Sequence, residues 1–246
     1  FWNPSEIIGT SPRTLDYSLY RYIITSEAWN QGLVPMGYRQ LNDELMYQIG
    51  IKPYISLDYS FYSLTPSKID EKLATKLVEF YKKKLKKDTT AHDKIEFEIV
   101  YSNFDFNTEN RTKEERQQIL ESLKELTVTN IKNHKQISES DNEDIKHLEK
   151  TRKHIVENDM ESEDVNKIVE DILELLEDIR IYGTPQFTRQ ARMAFIARAF
   201  CSSLVDSGWF TKNEIDQFMK SIATVSSKFE QDYQKFSVGK MSRNEF

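Results

Sequence analysis

Hydrophobic and polar positions along the chain follow two different periods. Between residues 16 and 31, Leu19, Tyr20, Ile23, Ile24 and Trp29 recur every three to five positions, which predicts a short helix after a Ser-Pro turn. Residues 46–49 and 54–64 alternate instead. Tyr54, Ser56, Asp58, Ser60 and Tyr62 fall on one side and Ile55, Leu57, Tyr59, Phe61 and Ser63 on the other, which predicts two strands joined around Gly50 and Pro53. A helix is predicted to start at Pro66-Ser67, with Ser67 and Asp70 as a capping pair and Ile69, Leu73, Leu77, Phe80 and Tyr81 on one side. Residues 93–101 alternate again, with Ile95, Phe97 and Ile99 facing a core and Glu96 and Glu98 facing away from it.

From residue 112 the pattern is helical. Thr112 and Glu115 form a capping box before Ile119, Leu120, Leu123, Leu126 and Ile131, and residues 132–164 are the least apolar tract. Val165, Ile168, Val169, Ile172, Leu175, Leu176 and Ile179 predict an amphipathic helix with an acidic opposite face. Gly183-Thr184-Pro185 reads as the end of that helix and the start of another. The helix that follows carries Phe187, Ala191, Ala194, Phe195, Ala199, Phe200 and Leu204 over most of its circumference, so it is predicted to be central and buried. Arg189 and Arg192 interrupt it and require a carboxylate, most simply one of the protein's own, or a ligand anion. Thr211 and Glu214 cap a last helix with one stripe running through Ile215, Phe218, Met219, Ile222, Val225, Phe229 and Tyr233. The predicted fold class is α+β, mostly α-helical, with a small antiparallel sheet formed near the N-terminal third. Residues 1–246 read as a single domain with a mixed α/β portion, 1–104, and a helical portion, 105–246.

Composition narrows the functions available. Five of six prolines and four of seven glycines precede residue 67, so the specially shaped backbone that so often carries sites is concentrated in the first quarter. A net charge of −6 argues against a general nucleic-acid binder, and the lysines of 82–87 read as a solvated helix end that complements the helix dipole. No apolar run of about 18 residues occurs, which argues against a membrane span. The single Cys201 cannot form an internal disulfide and reads as a small core residue in a reducing, cytoplasmic compartment. Both ends read as cut from something longer. No Gly-x-x-x-x-Gly-Lys, Gly-x-Gly-x-x-Gly, Cys-x-x-Cys or His-Glu-x-x-His motif occurs, and His134, His147 and His154 lie 13 and 7 residues apart in a polar tract, where they read as solvated.

The N-terminal stretch also carries a likeness. Asn3-Pro4-x-Glu6-x-Ile8-Gly9, Pro12-Arg13-x-Leu15, Ser18-Leu19-Tyr20, Gly37-Tyr38-Arg39, Pro53-Tyr54, Asp58 and Ser60-Phe61 resemble the middle domain of phosphoenolpyruvate-synthase-like phosphotransferases of bacterial capsule and polysaccharide loci, a group that includes L-glutamine kinases. His92-Asp93-Lys94-x-Glu96-Phe97-Glu98 extends the likeness, which covers about half the chain and leaves 105–181 unmatched. The resemblance implies an acceptor-substrate domain of an ATP-dependent enzyme. In such enzymes ATP and magnesium bind an ATP-grasp domain and a phosphohistidine on a mobile domain carries the phosphoryl group, so no cofactor is expected in this chain. The expected acceptor is small and polar, most like the side-chain amide of L-glutamine. Arg13, Asp16, Ser18, Arg39, Asp58, Ser60, Ser63 and Glu96 are the expected pocket. An arginine would hold the acceptor carboxylate, and Asp58 or Glu96 its ammonium or the amide proton. The alternatives are a different acceptor for the same chemistry, or a non-catalytic helical scaffold that docks neighbouring domains.

Overall fold

The structure is a computed structural model, described here for residues 4–88, 111–158, 164–222 and 224–243. Among the described residues it is mostly helical with one small antiparallel sheet, as the periods predict. Contacts divide the chain into two compact units, Phe1–Ala197 and Arg198–Phe246. The predicted strand over 93–101, and Glu96 with it, lies outside the described residues.

The first unit opens with α1 (Pro4–Ile8) and α2 (Thr14–Tyr20), a π-helical turn (Arg21–Thr25), α3 (Glu27–Leu33) and a 3-10 turn (Val34–Met36). Gly37 closes that turn at φ 91°, a left-handed conformation that costs a glycine little. Strands β1 (Met46–Ile49) and β2 (Lys52–Ile55) then pair antiparallel, with Met46 opposite Ile55 and Ile49 opposite Lys52. Gly50, at φ 63°, makes the tight turn between them. Met46 and Ile55 face inward together with Tyr20, Leu41 and Leu45 as a small satellite core.

Two sequence expectations fail just beyond the hairpin. The alternation over 54–64 is strand only as far as Ile55, because Ser56 turns the chain and accepts a hydrogen bond from the Tyr59 backbone N–H at 3.3 Å. Helix α4 (Leu57–Ser63) follows. Its aromatic run fits either period, and the serine cap together with burial of Phe61 decides for the helix. The next helix, α5 (Glu71–Lys87), starts five residues after Pro66, with Asp70 as its cap at 2.8 Å from the Leu73 N–H. The backbone between them is used elsewhere: Pro66 bridges to Tyr38, and the Ser67 N–H donates to the Gly37 carbonyl at 3.0 Å.

Helix α5 buries Leu73, Ala74, Leu77, Val78 and Tyr81 in the main core, which also takes Leu33, Met36 and Tyr38. Helix α6 (Lys113–Asn158) begins at the predicted Thr112/Glu115 box, with both bonds 3.2 Å. Its N-terminal part adds Ile119, Leu123 and Leu126 to the same core, and Asn130 seals its edge by donating to the Met36 carbonyl at 2.9 Å.

Helix α7 (Val165–Asp178), a second π-helical turn (Ile179–Gly183) and α8 (Thr184–Asp206) follow one another without a break, since Ile179 and Thr184 both keep right-handed helical angles. The expected stop at Gly183-Pro185 is therefore absent. A wide π turn immediately before Pro185 relaxes the ladder where the proline has no N–H to give. Helix α8 is not buried all round as predicted. Arg192, Ile196 and Ala199 face inward, while Phe187, Phe200 and Leu204 are exposed.

In the second unit, α9 (Lys212–Ser221) carries the predicted Thr211/Glu214 capping box. The single stripe predicted from Ile215 to Tyr233 is split between α9 and α10 (Val225–Ser237), because Ile222 adopts an extended conformation and Thr224 caps a new helix.

Candidate functional site

A cavity of about 260 Å³ opens between the loop that follows Arg39 and the helices α4 and α5. Gln40, Leu41, Asn42 and Asp43 line it from the loop, Asp58, Tyr59 and Tyr62 from α4, and Glu71, Thr75, Val78 and Glu79 from α5. The loop is fixed from behind. Asn30 of α3 donates to the Leu41 carbonyl at 2.7 Å and accepts from the Leu41 N–H at 2.9 Å, the pairing of a short β-bridge supplied by one side chain.

Arg39 stands at one end of this cleft, largely covered. Its guanidinium lies 3.1 Å from Glu71 Oε2, donates to Thr65 Oγ1 at 3.3 Å and to the Ile69 carbonyl, and sits 5.1 Å from the centre of the Tyr62 ring. Tyr62 donates to the same Glu71 carboxylate at 2.8 Å, and burial, followed by that bond, pushes its phenol above the ordinary range. At the other end, Lys82 Nζ bridges Asp58 at 2.6 Å and Glu79 at 3.0 Å. Its hydrogen bonds to Asp58 first and Glu79 second hold the ammonium above its usual range. Four carboxylates thus line or edge the cleft, from Asp43, Asp58, Glu71 and Glu79, against two cations, Arg39 and Lys82. An acidic cleft with tyrosine walls attracts an ammonium-bearing molecule more readily than an anion.

The expected pocket residues divide three ways. Asp58 lines the cleft and Arg39 borders it, both already ion-paired. Ser60 is half-buried on α4, and its carbonyl accepts from Ser63 Oγ at 2.8 Å. Ser63 is enclosed, 0% exposed, and accepts from Trp29 Nε1 at 3.0 Å, so its hydroxyl serves the core. Arg13, Asp16 and Ser18 are exposed on or beside α2 and do not line the cleft. The Arg13 backbone N–H donates to Asp16 Oδ2 at 3.1 Å, as part of the start of that helix. Glu96 lies outside the described residues.

Lys82 corrects a sequence expectation, since it turns back to Asp58 and Glu79 and is not a freely solvated helix end. Glu71, Tyr62 and Lys82 were missed as site residues. The spacing of α5 held a signal for two of them, because Glu71, Thr75, Glu79 and Lys82 form one polar edge beside the buried stripe.

A second polar cluster joins α6 to α8. Arg189 pairs with Asp141 at 2.6 Å and Asp144 at 2.8 Å, as expected of a covered arginine. Gln190 donates to the other Asp141 oxygen at 2.5 Å. Burial pushes the Asp144 carboxyl up, against the pull of Arg189. Arg192 donates from Nε to Tyr38 Oη at 3.1 Å. His147 is half-exposed but not merely solvated: Nε2 lies 3.3 Å from Asp178 Oδ1, and its ring packs 4.2 Å from that of Tyr182.

Among the described residues, no group of three or more His, Cys, Asp or Glu side chains is placed to hold a metal ion, and no helix is long and apolar enough to cross a membrane. In comparisons with known proteins, no family model matches the chain, and no curated protein and no solved structure is found similar to it.

Proposed function

We propose that this chain is the acceptor-binding part of a phosphoenolpyruvate-synthase-like phosphotransferase, acting in the cytoplasm, and that the cleft beside Asp58 receives the acceptor. The observation that carries the reading is the meeting of Asp58, Arg39 and two tyrosines around a cleft sized for a small polar molecule. In this reading the acceptor is an amino acid with a side-chain amide, L-glutamine first, and the phosphoryl group arrives from a phosphohistidine on another domain of the enzyme. ATP and magnesium would be used on that enzyme's ATP-grasp domain. The contribution of this chain is to hold the acceptor's ammonium against Asp58, to offer Arg39 to its carboxylate, and to fix the amide nitrogen for attack. A carboxylate of the cleft would take the amide proton.

One observation favours a second reading, a scaffold that docks neighbouring domains. Arg39 with Glu71, and Asp58 with Lys82, already satisfy one another. Calorimetric titration with L-glutamine separates the two. Binding that is lost in Asp58→Ala and weakened in Arg39→Ala, but kept in Arg13→Ala, is the expected result. Folded Asp58→Ala and Arg39→Ala proteins that bind as the wild type does would remove the cleft from the reading.

A further inference from the structure

The charged groups on the helical side of the cleft beside Asp58 are spent on one another. Arg39 is taken by Glu71, while Asp58 and Glu79 share Lys82. Tyr62 gives its hydroxyl to Glu71 as well. The loop side is different. Gln40, Asn42 and Asp43 all line the cavity and all are exposed, and among the described residues their side chains form no hydrogen bond or ion pair.

The pinning of this loop explains why two free amides are presented there. Asn30 ties both backbone groups of Leu41, at 2.7 and 2.9 Å, and the Leu41 side chain is buried in the satellite core. Its neighbours on either side, Gln40 and Asn42, are left at the surface of a fixed backbone. Ordering them on a ligand therefore costs side-chain freedom but little loop freedom.

A primary amide carries two N–H donors and a carbonyl acceptor, so its natural complement is another primary amide, which gives and takes a hydrogen bond at once. A carboxylate in the same place accepts but cannot donate. It also enters a cleft in which four carboxylates outnumber two cations.

We propose that Gln40 and Asn42 are the specificity-determining residues of the cleft: they hydrogen-bond the side-chain amide of the acceptor and so select a carboxamide over the corresponding carboxylate. The assignment rests on the reading of the cleft as the acceptor site. In it, Asp58 holds the ammonium that glutamine and glutamate share, and the loop tells the two apart. Asp43, next to Asn42 and with no cation paired to it among the described residues, adds to the rejection of the acid.

The test is calorimetric titration of the full chain with L-glutamine and with L-glutamate. The wild type is expected to bind L-glutamate at least about tenfold more weakly, with the gap narrowing as salt rises. Gln40→Ala combined with Asn42→Ala lowers the affinity for L-glutamine about tenfold and leaves that for L-glutamate unchanged, so the gap closes. Gln40→Lys combined with Asn42→Lys supplies cations for the second carboxylate and reverses the preference. Far-ultraviolet circular dichroism checks that the variants fold, and each single substitution repeats the measurement if a double variant does not. Equal affinity of the wild type for the two amino acids, or an undiminished gap in the folded alanine variants, overturns the assignment while leaving the acceptor site in place. A wild type that binds neither amino acid removes the acceptor reading and this assignment with it.

Discussion

The first unit is held together in two different ways. Around α5, Leu73, Leu77 and Tyr81 meet Leu33, Phe61, Ile119 and Leu123 in an apolar core, and ion pairs such as Lys76 with Glu115 stay at its rim. Around the C-terminal half of α6, α7 and the start of α8, the inward positions include Asp141, Thr151, Asp171, Asp178 and Arg192 beside the apolar Ile155 and Ile196. The contacts there are Arg189 with Asp141, Lys167 with Asp171 and His147 with Asp178. Apolar contact tolerates small shifts of position, whereas a covered ion pair is strong only in good geometry and leaves a costly charge behind when one partner goes. The first region should therefore respond to lost volume and the second to lost charge.

The largest effect is expected from the second region. Asp141→Ala leaves Arg189 covered and short of its closest carboxylate, and should lower stability by about 3 to 5 kcal/mol in urea unfolding. Asp141→Leu combined with Arg189→Met should recover most of that loss. A double variant as unstable as the single one would mean that shape, not charge, holds this region.

Next in size, Leu73→Ala should cost about 2 to 5 kcal/mol, while Ile172→Ala should stay within about 0.5 kcal/mol because the side chain is already half in solvent. Equal losses in the two helices would erase the contrast. A smaller effect tests where α3 meets α8. A Cβ on Gly32 would sit 2.7 Å from Thr188 Cβ, so Gly32→Ala should cost about 1 to 3 kcal/mol by forcing the helices apart.

The smallest effect is one of pH. The hydrogen bond from Arg180, followed by that from Tyr22, holds the Glu177 carboxyl at about 2, against roughly 4.3 for a free glutamate. A lowered folded-state value means that the stabilisation is complete above the unfolded value and is lost as pH falls from there toward about 2. Urea midpoints measured through that window should fall less steeply in Glu177→Gln than in the wild type. Parallel curves would show that this exposed pair contributes nothing.

Much of this was legible in the chain. The caps at Thr112 and Thr211, the hairpin turn at Gly50 and the stripe of α5 are local chemistry, and each formed where its residues predict it, whereas the cap of α5 moved from Ser67 to Asp70. What failed needed information from a distance. Residues 54–64 satisfy both periods, and only the packing of Phe61 selects the helix. The stripe of α7 announced a helix correctly, but periodicity says that one face differs from the other, not which of them the rest of the protein will touch. Of the site, Asp58 and Arg39 could be named as chemically unusual residues. Their partners Lys82 and Glu71 lie on a different helix, and only the fold brings them there.

The π turn at 179–183 sets the phase of the helix that follows it. An α-helix advances about 100° per residue, so the extra residue in this turn rotates α8 by that amount about its axis relative to the frame of α7. Arg189 reaches Asp141, and Thr184 donates to the Ile23 carbonyl at 2.6 Å, in this rotated frame. Removing one residue from the turn would restore a regular helix and swing both side chains away from their partners. Here the reading frame of the helix, and not only its composition, is part of what the sequence encodes.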